Sequence, residues 1–342
     1  MNKYRIATLL PCVLLLSAVA GCGAPPGRAP SPQSPSAPGT RTMPPAAVET
    51  PPPASAPAPP AMLPQNPSPM QERTRVHERL VQRRSDTGVH LTIDSLLPGP
   101  IEVFIPQRAL TADAAPLLIH LMGATWVPRR AVATMERPVI VAAAYFGSGS
   151  ATYARPFARD TLLYARMLDT IRARIAQVTG APRITGVYLS AWSAGYGAIR
   201  EILRRPEYLP QVDGVLLLDG IHTGYIPDRK PLADGGVLDT TGLAPFSAFA
   251  RLAAAGSKRF IITHSEIFPG TFASTTECTD WVLDALGLKR VPVLEWGPMG
   301  TQLLSRTRKG RFEALGFAGN SAPDHVDLFH GMAAYVDRLL AP

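Results

Sequence analysis

The chain reads as an α/β protein built on a mainly parallel sheet with helices on both faces. Three observations predict this. Continuous apolar runs of strand length recur between residues 117 and 263, amphipathic stretches at helical spacing lie between them, and small-residue turns join the two. Strands buried on both faces lose the polar alternation of a half-exposed strand, and alternation of such strands with helices is the mark of parallel crossovers.

Taken in order, residues 89–93 and 101–105 alternate with period two and flank Pro98, Gly99 and Pro100, which predicts an antiparallel pair at one sheet edge. The buried strands follow at 117–121, 139–144, 187–189, 215–218 and 260–263, with a last candidate at 311–317. Residues 161–178 set Leu163, Met167, Ile171 and Ile175 at helical spacing with arginines opposite. Shorter helices are expected at 245–255 and 278–286, and 333–340 closes the chain, continuing a helix that starts near Asp324. There is no internal repeat, so 71–342 reads as one domain.

The ends read differently. Lys3 and Arg5 precede an apolar run over 6–20 that is short for a bilayer span, and Val19, Ala20, Gly21 and Cys22 follow. That ending resembles a bacterial lipobox, which makes 1–22 a lipoprotein signal peptide and Cys22 the lipid-attachment residue. Ala18, Val19 and Ala20 would also suit ordinary signal peptidase, leaving a secreted form as the alternative. Gly23 stands where an inner-membrane retention aspartate would, favouring the outer membrane. Residues 23–70 carry 17 of the 36 prolines with almost no charge or aromatic content, too little apolar surface to offset ordering, and read as an extended tether. The expected location is therefore the cell envelope, with the membrane engaged through the anchor.

The globular part holds one cysteine, Cys278, and so no internal disulfide. The net charge of +8 is spread out, with Arg73, Arg75, Arg83 and Arg84 interleaved with Glu72, Glu78 and Asp86. Without aromatic residues interleaved among the basic ones, this argues against a nucleic-acid platform.

One short segment carries chemistry. Residues 184–189 read as a buried strand and 197–205 as a helix, and between them lies Ser190-Ala191-Trp192-Ser193-Ala194-Gly195-Tyr196-Gly197. A strand, a small-residue turn with a central serine and a helix make a nucleophile elbow. The sharp turn expels the serine from the sheet, small neighbours let strand and helix approach, and the helix start offers an N–H to a developing oxyanion. Ala191 replaces the glycine usual at the first small position.

With the elbow placed, the order of elements resembles an α/β-hydrolase across the whole globular region. That resemblance implies a base within reach of Ser193, late in the chain, and a carboxylate to orient it. His325 fits the base; His330, five residues on, falls on another helical face. The acid is Glu266, past the 260–263 strand, or Asp219, directly after 215–218. The two stand close, with a lean to Glu266. Their strand ends share a rim with Ser193. His222 and His264 read as rim residues. Ala194 implies one oxyanion donor, and Gly123 or Ala124, in a loop resembling the family's His-Gly loop with Met122 at the histidine position, the other. A metal site from Asp324, His325, Asp327 and His330 lacks the i, i+4 histidine pair, so neither metal nor cofactor is expected.

Only a small cap fits between Leu218 and Lys258, built from 221–243, which favours an open cleft over a lid-gated one. Trp126, Tyr145, Tyr153, Trp192 and Tyr196 are candidates for lining it or for the core. The implied activity is serine-dependent hydrolysis of a small-molecule carboxylic ester. A peptidase or amidase acting on peptides or cell-wall fragments uses the same machinery, and a catalytically silent binding module of the same fold is the third reading.

Overall fold

Apolar runs rich in Val, Ile and Leu form the strands because fully buried backbone must pair its N–H and C=O groups somewhere, and the ladder does so. The computed structural model describes residues 86–180 and 183–341. The expected signal peptide, Cys22 and the 23–70 tether lie outside the described residues, as do 71–85.

The chain begins with β1 (Gly88–Ile93) and β2 (Ile101–Pro106), the antiparallel pair expected at the edge. A single turn, α1 (Gln107–Leu110), leads to β3 (Ala114–Leu121), α2 (Trp126–Thr134) and β4 (Ile140–Ala144). Then come α3 (Ser150–Arg159), α4 (Leu163–Thr179), β5 (Arg183–Trp192) and α5 (Tyr196–Leu203). β6 (Gly214–Leu218) is followed by a two-stranded cap, β7 (Tyr225–Ile226) with β8 (Val237–Leu238), then α6 (Ala244–Ala254) and β9 (Arg259–His264). The chain ends with α7 (Thr275–Asp284), β10 (Pro292–Trp296), β11 (Gln302–Lys309), β12 (Phe312–Phe317), α8 (Ala322–His330) and α9 (Met332–Leu339).

Ten strands make one sheet in the order β1-β2-β4-β3-β5-β6-β9-β12-β11-β10. β3 to β6, β9 and β12 run parallel; β1, β10 and β11 pair antiparallel at the two edges, and β2 runs against β4. α2 packs with α9, and α3, α5 and α6 form a second group. This is the α/β-hydrolase fold, with the small cap expected over 221–243. Every residue of β4, β6 and β12 is buried, which explains the unbroken apolar character of β4 and β6; in β12 the buried Glu313 is paired with Arg308 and Arg338.

Three expectations need correction. β10 and β11 extend the sheet beyond the strand expected last. β10 escapes a pattern search because Leu294 and Trp296 are exposed, at 74% and 78%. α2 and α3 carry prolines (Pro128, Pro156) and arginines that mask their periodicity. The helix expected to run from near Asp324 to 340 is two, α8 and α9, which meet at Gly331; Ser321 opens α8 with a capping box to Asp324, and His325 lies in it, ahead of the final helix.

Three histidines are buried in this framework. His120, His222 and His264 are each pushed down from 6.5 to about 4, by burial above all; hydrogen bonding to the carbonyl of Met122 and of Ala273 opposes this at His120 and His222, as does the charge of Asp219 at His264. A folded value below the unfolded one means that the unfolded chain binds more protons between the two. Their stabilising contribution is therefore complete above pH 6.5 and lost as pH falls towards 4. Urea titrations should show the folding free energy falling by roughly 8 kcal/mol from neutrality to about pH 4, with a steeper slope than any single histidine allows.

Candidate active site

The turn between β5 and α5 lies tightly against the end of β3 and the turn after β6, and two glycines permit it. A Cβ on Gly195 would lie 2.2 Å from the carbonyl oxygen of Leu121, and one on Gly220 would lie 2.5 Å from the carbonyl oxygen of Ser193. Ser193 itself adopts φ 48°, left-handed backbone that a serine enters only at a cost. Asp219 (φ 43°) and Met122 (φ 79°) do the same at the ends of β6 and β3. Three of the six non-glycine residues with positive φ among the described residues thus meet at one rim of the sheet.

Asp219 is fully buried, and its carboxylate accepts four hydrogen bonds. Oδ1 takes the Ser265 amide at 2.9 Å and the Thr275 hydroxyl at 2.7 Å; Oδ2 takes the Ser265 hydroxyl at 2.7 Å and His325 Nδ1 at 2.8 Å. Burial alone would raise its pKa, but His325 and the hydroxyls of Ser265 and Thr275 outweigh burial and bring it down to about 2. It is ionised at any physiological pH. With Nδ1–H donated to Asp219, His325 presents Nε2 as its open lone pair, buried and without a hydrogen-bond partner among the described residues.

Trp192 locks the imidazole beside the elbow. Its indole stacks on His325 at 4.7 Å between centroids and donates from Nε1 to the His325 carbonyl at 3.0 Å. Ser193 is thus flanked by Trp192, which holds His325, and by Gly220, which follows Asp219.

Of the two carboxylates that the sequence left open, Asp219 is the one brought to His325. Glu266 is exposed, binds the Gly319 carbonyl through its amide, and lines a separate cavity of about 500 Å³ with His264 and Arg290. The lean towards Glu266 is corrected by the sharp left-handed turn at Asp219, which keeps that residue under the sheet rim. His330 packs on Trp126, 5.7 Å between centroids, on another face of α8. Among the described residues no group of three or more His, Cys, Asp or Glu side chains is arranged to hold a metal, and Asp324 is engaged by Ser321.

Of the residues expected to offer oxyanion donors, Ala194 follows Ser193 and lines the main cavity with it; Met122, next to Gly123, lines it too. In the facing loop the Met122 amide is bonded to Ala144 at 3.0 Å, while the carbonyl of Met122 accepts from His120 Nε2 at 2.7 Å. A trans peptide directs its N–H opposite to its C=O. His120 therefore fixes which way the Gly123 amide points. Sequence reading missed His120; the signal was a lone polar residue in an apolar strand.

The main cavity measures about 990 Å³ and runs from Ser193 along α5 under the cap. Of the five aromatic candidates only Tyr196 lines it; Trp192 and Tyr153 are fully buried. His222 faces the same cavity. Its Nδ1 donates to the Ala273 carbonyl at 2.8 Å, leaving Nε2 an unpartnered acceptor.

No protein-family model and no curated protein matches the chain. Solved structures similar to it include Est1E from Butyrivibrio proteoclasticus, at 10% identity and a TM-score of 0.38 over 75% of this chain and 100% of that one. Carboxyl esterase 2 (TmelEST2) from the mycorrhizal fungus Tuber melanosporum is another, at 12% identity and a TM-score of 0.41 over 76% of this chain and 87% of that one. The strand order, and not these overlaps, carries the fold assignment for this chain.

Proposed function

We propose that the protein is a serine hydrolase that cleaves carboxylic esters, with Ser193 as nucleophile, His325 as general base and acid, and Asp219 as the orienting carboxylate. The observation that carries this reading is the buried Asp219–His325 hydrogen bond of 2.8 Å beside a serine in left-handed backbone. In the reaction Ser193 Oγ bonds to the ester carbonyl carbon as its proton passes to His325 Nε2. The Ala194 amide, with that of Gly123 or Ala124, stabilises the oxyanion. Collapse breaks the bond to the alcohol, which leaves with the proton from His325. Water then repeats the sequence on the acyl-serine and releases the acid. Asp219 stays ionised throughout and stabilises the imidazolium. A small ester is favoured over a long polypeptide because the cavity beside Ser193 measures about 990 Å³, a small-molecule volume.

The reading is tested by a fluorophosphonate probe and by p-nitrophenyl ester hydrolysis. Wild-type protein should be labelled and Ser193→Ala should not. Asp219→Asn should lower kcat by about 10³- to 10⁴-fold, since the amide favours the wrong imidazole tautomer, while Glu266→Gln should change it less than about twofold. Labelling that survives Ser193→Ala, or equal losses at Asp219 and Glu266, would overturn the assignment. Faster cleavage of aminoacyl anilides than of short acyl esters would favour the peptidase alternative.

Envelope anchoring through Cys22 is the second part of the proposal and is supported by the N-terminal sequence. Metabolic labelling with palmitate in a bacterial host should incorporate label into the wild-type chain and not into Cys22→Ala. Equal incorporation into both would leave secretion as the better account.

A further inference from the structure

We propose that the cavity contains an anion subsite centred on the Arg200 guanidinium, which fits it to esters bearing a carboxylate a few bonds from the scissile carbonyl. This rests on the hydrolase reading and deepens it by naming the substrate class.

α5 leads directly away from Ser193, and Arg200 lies on its second turn. An extended Arg200 would stand about 10 Å along the axis from the elbow. Instead its guanidinium carbon lies 5.7 Å from the centroid of the Tyr196 ring, one turn back towards Ser193. The charge therefore sits within reach of a short substrate whose carbonyl is at Ser193.

The guanidinium is fixed and partly desolvated, but unspent. Nε donates to Glu201 Oε1 at 3.1 Å, and the other oxygen of Glu201 is taken by Arg204 Nη1 at 3.1 Å. Nη1 and Nη2 of Arg200 have no hydrogen-bond partner among the described residues, although its side chain is only 19% exposed. A Cβ added at Gly242 would lie 3.7 Å from Nη1, so the absence of a side chain there leaves room beside the fork. A planar, anchored guanidinium with both terminal nitrogens open is the geometry that a carboxylate accepts in bidentate fashion.

General positive charge does not explain the arrangement. Arg200 and Arg204 are balanced formally by Glu201 and Asp239 at this end of the cavity. Asp239 is itself engaged, with Oδ1 accepting from the amide of Thr241 at 3.0 Å and its hydroxyl at 2.6 Å. Arg204 Nη2 donates to the Thr241 carbonyl at 3.3 Å. Among the described residues the Arg200 fork is the cationic group left open here, and Asp239 Oδ2 is the anionic one. An apolar group filling the cavity would strip water from the fork's N–H groups and return nothing, and a neutral amide offers one uncharged acceptor, whereas a carboxylate pairs both nitrogens and the charge.

The test compares each of two acids with its own primary amide: monoethyl glutarate, with the carboxylate on the acyl side, and 4-acetoxybutanoate, with it on the alcohol side. In at least one pair kcat/KM should favour the acid by about ten- to a hundredfold, mainly through KM, and Arg200→Gln should bring that ratio to near one. Because Arg200 also pairs with the buried Glu201, the wild-type protein supplies a second readout: added sodium chloride should raise KM for the favoured acid and not for its amide. Ratios near one in both pairs, or a preference that persists in Arg200→Gln, would overturn the subsite while leaving the hydrolase reading intact. If no ester is cleaved and Ser193 is not labelled, the hydrolase reading fails. Calorimetric titration of glutarate into wild type and Arg200→Gln then decides the subsite alone, with binding to the first and not the second supporting it and equal heats refuting it.

Discussion

The buried carboxylate of Asp219 is the interaction on which the rest of this site depends. A carboxylate with no exposure is tolerable only if its lone pairs are met, and here four donors meet them. They come from three places: Ser265 just past β9, Thr275 at the start of α7, and His325 in α8. The carboxylate thus acts as a hub that fixes three C-terminal segments against the end of β6. Its reach extends to the cap. Glu277 completes the capping box that starts α7 and accepts the Tyr225 hydroxyl at 2.8 Å, so the cap strand β7 is tied to the helix whose first residue holds Asp219.

Local backbone strain and global packing explain one another at the rim. Left-handed φ values at Met122, Ser193 and Asp219 are each unfavourable alone. They persist because β3, β5 and β6 end side by side, and their exits must turn within the space that Gly195 and Gly220 leave. The register pairs His120 with Ser190, and the His120 ring bonds to both the Ser190 hydroxyl, at 2.9 Å, and the Met122 carbonyl. One buried imidazole therefore couples the strand that leads to Ser193 to the loop that follows β3. The constraint runs from strand register to peptide orientation without any flexible side chain between.

Much of this was legible in the residues. The apolar runs gave β3 to β6 and β9 because burial on both faces removes polar alternation, and the small residues around Ser193 announced a turn too tight for larger ones. Other parts were not legible for physical reasons. β10 carries exposed Leu294 and Trp296, so its pattern has no buried face to read. The choice between Asp219 and Glu266 depended on a backbone turn and on donors 46 and 56 residues away in sequence, Ser265 and Thr275, which no local pattern encodes. Arg200 looked like one of many helix arginines. Its distinction is that Glu201 and Tyr196 immobilise it while leaving two nitrogens open, and only tertiary contacts reveal that.

Four histidines surround this site, and the structure gives them different work by environment alone. His120, His222 and His264 are held neutral by burial, each at about 4. Asp219 lies close enough to raise the values of His222 and His264, yet desolvation is the larger effect for both, because neither touches the carboxylate. His325 alone makes that contact. An imidazolium forming on His325 Nε2 is met at once by a fixed negative charge through Nδ1, whereas a proton on any of the other three would sit in a dry interior with no carboxylate in contact. In the hydrolase proposed above, proton transfer is then confined to one imidazole, because only one of the four touches an anion. The same logic applies to Arg200 at the far end of the cavity, where Glu201 anchors the cation through Nε but leaves the terminal nitrogens for a charge that the protein itself does not supply.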